Sequence, residues 1–329
     1  MELAVGERIG EPGRDVYVVG DCVSSNGLTT LHGARKVFYN YRYDEREFYE
    51  AAEDEWIEVR IRSLVNSGSS DAAAASRGRD LLRYEAQSVL GRLPGWFPEP
   101  LDWLEHRGQP LLVMSVPRGR PLREWRRSPT GISPLVPRIM AELLNLLEAL
   151  HRNGQVVGGL GPDDILVDET SRICCTATDR VLSAKLAASQ PRVFAPPFYP
   201  QAFVAPEVLH GNGALDRRSD LYSWAALFVY LMTGEHEGRG FGRDTMVEFD
   251  AALEDVAKVS PNTLRALSPK TDHRRIDEIV DGWSKAVERT LAADPRHRPG
   301  TVDALRRIAM PRRAFSLIRR LFRQPPRPG

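Results

Sequence analysis

The sequence predicts an α+β fold of two lobes, a β-rich first part and a larger helical second part, on three observations. Segments rich in β-branched and aromatic residues (VYVVGDCV, TLHGARKVFYNY and WIEVRIRSL) are concentrated before residue 65. From about residue 117 onward, apolar residues recur at helical spacing. Sheet first and helices afterward is the order of an α+β chain rather than of alternating β–α units.

In chain order, VYVVGDCV and TLHGARKVFYNY are strands with a turn signal, Ser24 to Gly27, between them. The charged insert YDEREFYEAAED, residues 43–54, reads as a solvated hairpin tip, with a docking surface as the alternative. WIEVRIRSL alternates apolar and charged positions, as a half-buried strand does. Residues 66–78 have the composition of a flexible loop, and Leu81 to Leu93 returns to helical spacing. QPLLVMSV is a further strand, followed by the crossover PRGRP. Helices are predicted over Leu135–Arg152, with Leu143, Leu146, Leu147 and Leu150 on one side, and over Leu221–Thr233, whose nearly continuous apolar run marks the buried centre of the second lobe. Ile276–Leu291 and Val302–Ile308 complete the helical part. The expected division is an N-terminal extension 1–14, an N-lobe 15–116, a C-lobe 117–310 and a tail 311–329.

Composition narrows the function classes. Forty-five basic and 44 acidic residues give a net charge of +1, without the bias that nucleic acid would demand. Three cysteines, two of them adjacent, make neither a metal-binding pair nor a disulfide framework, and a cytoplasmic setting is expected. No run of about 18 apolar residues signals a membrane span.

Leu150 to Asp168, LHRNGQVVGGLGPDDILVD, resembles the catalytic loop of eukaryotic-type protein kinases, with Leu160, Pro162, Ile165 and Leu166 holding the register. Ala205, Pro206 and Glu207 fall on that family's Ala-Pro-Glu motif. Asp220 opens the long helix after it, and Arg298 in DPRHRP stands where a late arginine pairs with the motif's glutamate. VRIRSL lies over the strand that carries the family's nucleotide-contacting lysine. Glu85 matches the glutamate paired with that lysine, and Met114 is the residue at the entrance to the hinge. The resemblance implies a bilobal protein kinase-like fold over roughly residues 15–310.

It also implies where phosphoryl transfer would be carried out, because that chemistry needs a phosphate cradle, a Lys–Glu pair, metal ligands and a group that accepts the hydroxyl proton. At the positions so assigned, the catalytic aspartate is Gly159 and the lysine two residues beyond it is Gly161. Glycine accepts no proton, and loss of such a group lowers a rate by about 10²–10⁴. The metal-binding aspartate position is Ala177, with a shift of register to Asp179 left open. The family asparagine is Asp164, where turn chemistry and cation binding are both open readings. The glycine-rich loop reduces to Ser24, Asn26, Gly27 and Thr29. No lysine occurs between Lys36 and Lys185, so the strand lysine is replaced by Arg62, or alternatively by Arg60, and an exposed strand arginine is an equal reading.

The resemblance therefore implies a pseudokinase without phosphotransferase activity. It would have no catalytic residue, no metal and no required ATP or Mg²⁺, and it would act as a scaffold or allosteric regulator. Asn26, Gly27, Arg62, Glu85, Met114 and Asp164 would line a vestigial nucleotide cleft, and Glu207, Arg298 and Asp220 would be structural. An atypical transferase using Asp163, Asp164 and Asp179, or a nucleotide sensor without turnover, are the alternatives. Protein partners are expected rather than nucleic acid, through the loop 181–204 or the tail. In the tail, Phe315, Leu317, Ile318, Leu321 and Phe322 share one arc of a helical wheel, and Arg312, Arg313, Arg319, Arg320 and Arg323 share the other. Packing on its own lobe, a partner groove and an anionic membrane surface are the three destinations open to such a segment.

Overall fold

The computed structural model describes residues 3–11, 15–25, 29–42, 44–65, 72–90, 92–127, 135–185, 201–211, 213–234, 243–259 and 273–309. Asn26, Gly27, most of the loop 181–204 and the tail from 311 lie outside the described residues. The chain divides into two compact units, one of residues 1–118 with 174–179, the other of residues 119–173 with 180–329.

The first unit is built on a six-stranded antiparallel sheet. Its strands are β1 (Arg8–Ile9), β2 (Val16–Ser25), β3 (Thr29–Val37), β6 (Ile57–Leu64), β8 (Gln109–Ser115) and β7 (Pro100–His106), in that spatial order. β4 (Tyr39–Arg42) and β5 (Glu47–Glu50) form a separate hairpin between β3 and β6. Ile9, Tyr17, Val19, Ala34, Val59, Ile61, Leu111 and Val113 pack into one cluster on the sheet. β1 lies inside the segment expected to be an extension. Ile9 is buried in that cluster, and an apolar side chain paired onto β2 belongs to the sheet.

The flexible loop expected over 66–78 is also revised. Helix α1 begins at Ala72 and runs to Tyr84, and the run of four alanines at its start has high intrinsic helix propensity. Glu85–Leu90 continues it as a π-helical turn.

The second unit is helical: α2 (Leu122–Arg126), α3 (Val136–Arg152), α4 (Pro206–Leu209), α5 (Arg217–Thr233), α6 (Arg243–Val259), α7 (His273–Thr290) and α8 (Val302–Ala309). Between α3 and α4 come short strands, among them β10 (Gln155–Val156), β11 (Ile165–Val167), β12 (Ile173–Cys175) and β13 (Leu182–Ser183). β10 pairs with β13, and β11 with β9 (Arg120–Pro121).

Every residue of α5 from Ser219 to Met232 is buried, so this helix is the core of the unit, as its apolar run predicts. Asp216 and Ser219 form a reciprocal capping box at its start, and Gly234, at φ 78°, ends it in the left-handed conformation that glycine adopts without strain. α6, which the sequence reading does not single out, packs Phe249 edge-on against Phe228 of α5. The architecture is mixed α+β, a curled sheet followed by helices. Among the described residues, no helix is long and apolar enough to cross a membrane.

Candidate functional site

In the first unit the chemistry gathers around Arg62. On β6, alternation turns Val59 and Ile61 toward the core and Arg60 and Arg62 toward the opposite face. Arg62 is 3% exposed, which removes the reading of an exposed strand arginine. Burying a guanidinium demands partners. Its Nε lies 3.1 Å from Glu85 Oε1, and its Nη1 lies 3.2 Å from Asp179 Oδ2. Nη1 and Nη2 donate more weakly to the hydroxyls of Thr29 and Thr178, at 3.4 and 3.5 Å. The Thr178 hydroxyl in turn donates to Glu85.

Burial pushes the Glu85 carboxyl above its ordinary range, opposed by the Arg62 charge and reinforced by the Asp179 charge. Two carboxylates thus share one guanidinium away from solvent. Arg60, the alternative occupant, is only half-buried and stands opposite Met114 of β8, whose side chain is buried. Ala177 is buried and presents a methyl group, which ligates nothing.

In the second unit the loop after α3 is held in shape by one carboxylate. Asp220 of α5 accepts the backbone N–H groups of Val157, at 3.1 Å, and of Gly158, at 2.7 Å, and lies 2.8 Å from His151 Nε2. Asp220 and His151 are both buried. The next two residues have left-handed backbones, Gly158 at φ 64° and Gly159 at φ 126°. A Cβ on Gly158 would stand 2.5 Å from Leu215.

Asp164 closes the turn that starts at Gly161, accepting Gly161 N–H at 2.6 Å while its own N–H bonds the Gly161 carbonyl at 3.1 Å. This is turn chemistry after Pro162, one of the two readings open for Asp164. The same carboxylate forms an ion pair with Arg180, which also donates to the Gly159 carbonyl oxygen at 2.9 Å. Asp163 is largely exposed, with both oxygens 3.0 Å from Arg123 Nε.

The pair expected at the end of the Ala-Pro-Glu segment is present in the same unit. Arg298 grips Glu207 in two parallel bonds of 2.7 and 2.8 Å, is 4% exposed, and stacks 4.8 Å over the Tyr222 ring. Ser219 adds a hydrogen bond of 2.9 Å to the same carboxylate.

Arg180, Thr178 and His151 are parts of these clusters to which sequence reasoning gave no role. Arg180 could have been suspected from its place directly after Asp179. Among the described residues, no group of three or more His, Cys, Asp or Glu is placed to hold a metal ion.

A twisted sheet with a buried Arg–Glu pair, and a helical unit whose central helix ties down a glycine-bearing loop, define a protein kinase-like chain. The family model described as protein kinase domain matches residues 100–308, and the chain belongs to that family. Among solved structures it is similar to the one titled "PpkA-294 apo form", at 14% identity, covering 94% of this chain and 99% of that one with a TM-score of 0.51; at that identity the likeness is one of fold. Among curated proteins, none matches the chain.

Proposed function

We propose that this chain is a pseudokinase: a protein kinase fold that transfers no phosphate and acts through protein partners, as a scaffold or allosteric regulator in the cytoplasm. The observation that carries the reading is the engagement of Asp164. It is the one acid left at a position assigned to metal binding or proton transfer in the second unit, and its carboxylate is taken by Arg180 and the Gly161 amide. An arginine supplies to that carboxylate the positive charge a cation would supply, permanently and without solvent exchange. Gly159 and Ala177 supply neither base nor ligand. Together these absences remove the metal's charge stabilisation and the acceptor of the hydroxyl proton, on which phosphoryl transfer depends. Neither ATP nor Mg²⁺ is required for such a role, and a reducing cytoplasm suits the three thiols.

The test is thermal unfolding with millimolar ATP, with and without Mg²⁺ or Mn²⁺, beside a radiolabelled transfer assay on the full chain. A ligand at 100 times its dissociation constant stabilises by about 2.7 kcal/mol, which raises the midpoint by a few degrees in a chain this long. No metal-dependent shift and no transfer are expected. A shift accompanied by transfer that Asp164→Ala abolishes would overturn the reading.

A further inference from the structure

The hairpin β4–β5 and the turn after it form a surface that the sites above do not use. Tyr41 and Phe48 stand opposite each other across the hairpin, with ring centroids 5.0 Å apart, and remain 40% and 49% exposed; Tyr49, on the other face, is 46% exposed. From Asp44 to Glu58 the chain carries eight acidic residues and one basic residue, Arg46. Glu45, Glu50 and Glu53 pair with Arg42, Arg8 and Arg35. Asp44, Glu47, Asp54, Glu55 and Glu58 are exposed and make no ion pair with a described residue. Exposed aromatic rings inside a field of unneutralised acids fit a ligand that is basic and apolar at once.

A segment of that chemistry lies in the same sequence. Residues 310–329 carry six arginines and no acid, with Phe315, Leu317, Ile318, Leu321 and Phe322 among them. We propose that the acidic hairpin docks the 310–329 segment of a second copy of this chain. Such a contact joins two different surfaces, so it closes into a pair when two copies exchange tails and otherwise builds head-to-tail assemblies. The proposal does not depend on catalytic silence, and its failure would leave the pseudokinase reading untouched.

The experiment is light scattering on the full chain across micromolar concentrations, at 50 and 500 mM salt. Concentration-dependent association that weakens at the higher salt is expected. The hairpin double variant Glu47→Arg with Glu55→Arg and the tail double variant Arg319→Glu with Arg320→Glu should each weaken association at least tenfold. Combining all four in one chain should restore it. The reversed hairpin positions are exposed and the tail variant lies far from them in sequence, so unchanged melting midpoints show that both variants fold. A monomer at every concentration, association indifferent to either variant, or no rescue in the combined variant would each overturn the proposal. So would a compact monomer that expands on charge reversal, since that places the tail on its own chain.

Discussion

Arg180 sets its guanidinium against the Asp164 carboxylate and donates to the Gly159 carbonyl oxygen at 2.9 Å, so one side chain spans the two positions where the kinase pattern puts a metal ligand and a base. Both members of the pair are largely buried, at 15% and 18% side-chain exposure. Removing the arginine takes from Asp164 its cationic partner in a largely buried place. Arg180→Ala should therefore destabilise by about 1–3 kcal/mol in urea unfolding. Asp164→Asn in that background should cost less than it does alone, and the double-mutant cycle should give a coupling of roughly 0.5–3 kcal/mol.

Restoring the two acids by Gly159→Asp and Ala177→Asp should not restore phosphate transfer. Gly159 sits at φ 126°, where a side chain is strained, and Ala177 is 3% exposed, where an added carboxylate is desolvated. The Gly159 substitution alone should cost about 1–2 kcal/mol from its backbone conformation. A radiolabelled assay of the double variant, beside its melting curve, checks both statements.

Arg62 makes a prediction in pH. Burial raises the Glu85 carboxyl above its ordinary value of 4.5, while the Arg62 charge pulls it back. A carboxyl raised on folding binds more protons in the folded than in the unfolded chain, so stability declines as pH rises from the ordinary value through the raised one. In Arg62→Met the opposing charge is gone and the window of decline should extend upward. The variant should lose about 3–5 kcal/mol at neutral pH and recover part of it on acidification toward pH 5. Glu85→Gln in the same background should flatten the dependence. Melting midpoints against pH distinguish the two.

The thiols should separate cleanly. Cys22 is exposed, Cys175 is buried, and burial pushes the Cys174 thiol up to about 12. Because the thiolate is the reactive form, iodoacetamide at pH 8 should modify one cysteine of the native chain quickly and all three after unfolding. Intact-mass spectrometry, followed by peptide mapping to Cys22, reads the result.

Much of this fold was legible because it rests on patterns that depend on single segments. The apolar run at Leu221–Thr233 announces a helix buried on all sides, and α5 is one. VRIRSL announces a strand by alternation, and β6 is one. Alternation alone, however, says which residues share a face and not which face is covered. For that reason the sequence leaves both the exposed and the buried reading of Arg62 open, and Glu85 and Asp179 against it decide for the buried one. Two residues carry no period, so nothing in the sequence announces the short strand β1, and the turn-forming residues Asn66 to Asp71 hide the alanines that start α1. For Arg180 the sequence offers only its place directly after Asp179, because its partners, Asp164 and Gly159, lie 16 and 21 residues earlier in the chain.

The inclusion of residues 174–179 in the first unit bears on how the chain is made. The Cys175 amide bonds the Trp96 carbonyl at 2.7 Å, and Thr178 and Asp179 complete the surroundings of Arg62. At roughly 5–20 residues per second of synthesis, the ribosome delivers Asp179 several seconds after Arg118, the last residue of the unit's main stretch. A sheet formed in that interval has Glu85 to pair with Arg62 but not yet its second carboxylate, Asp179. The first unit is thus contiguous in space but not in time of emergence, and its last piece arrives only after α3 has been made.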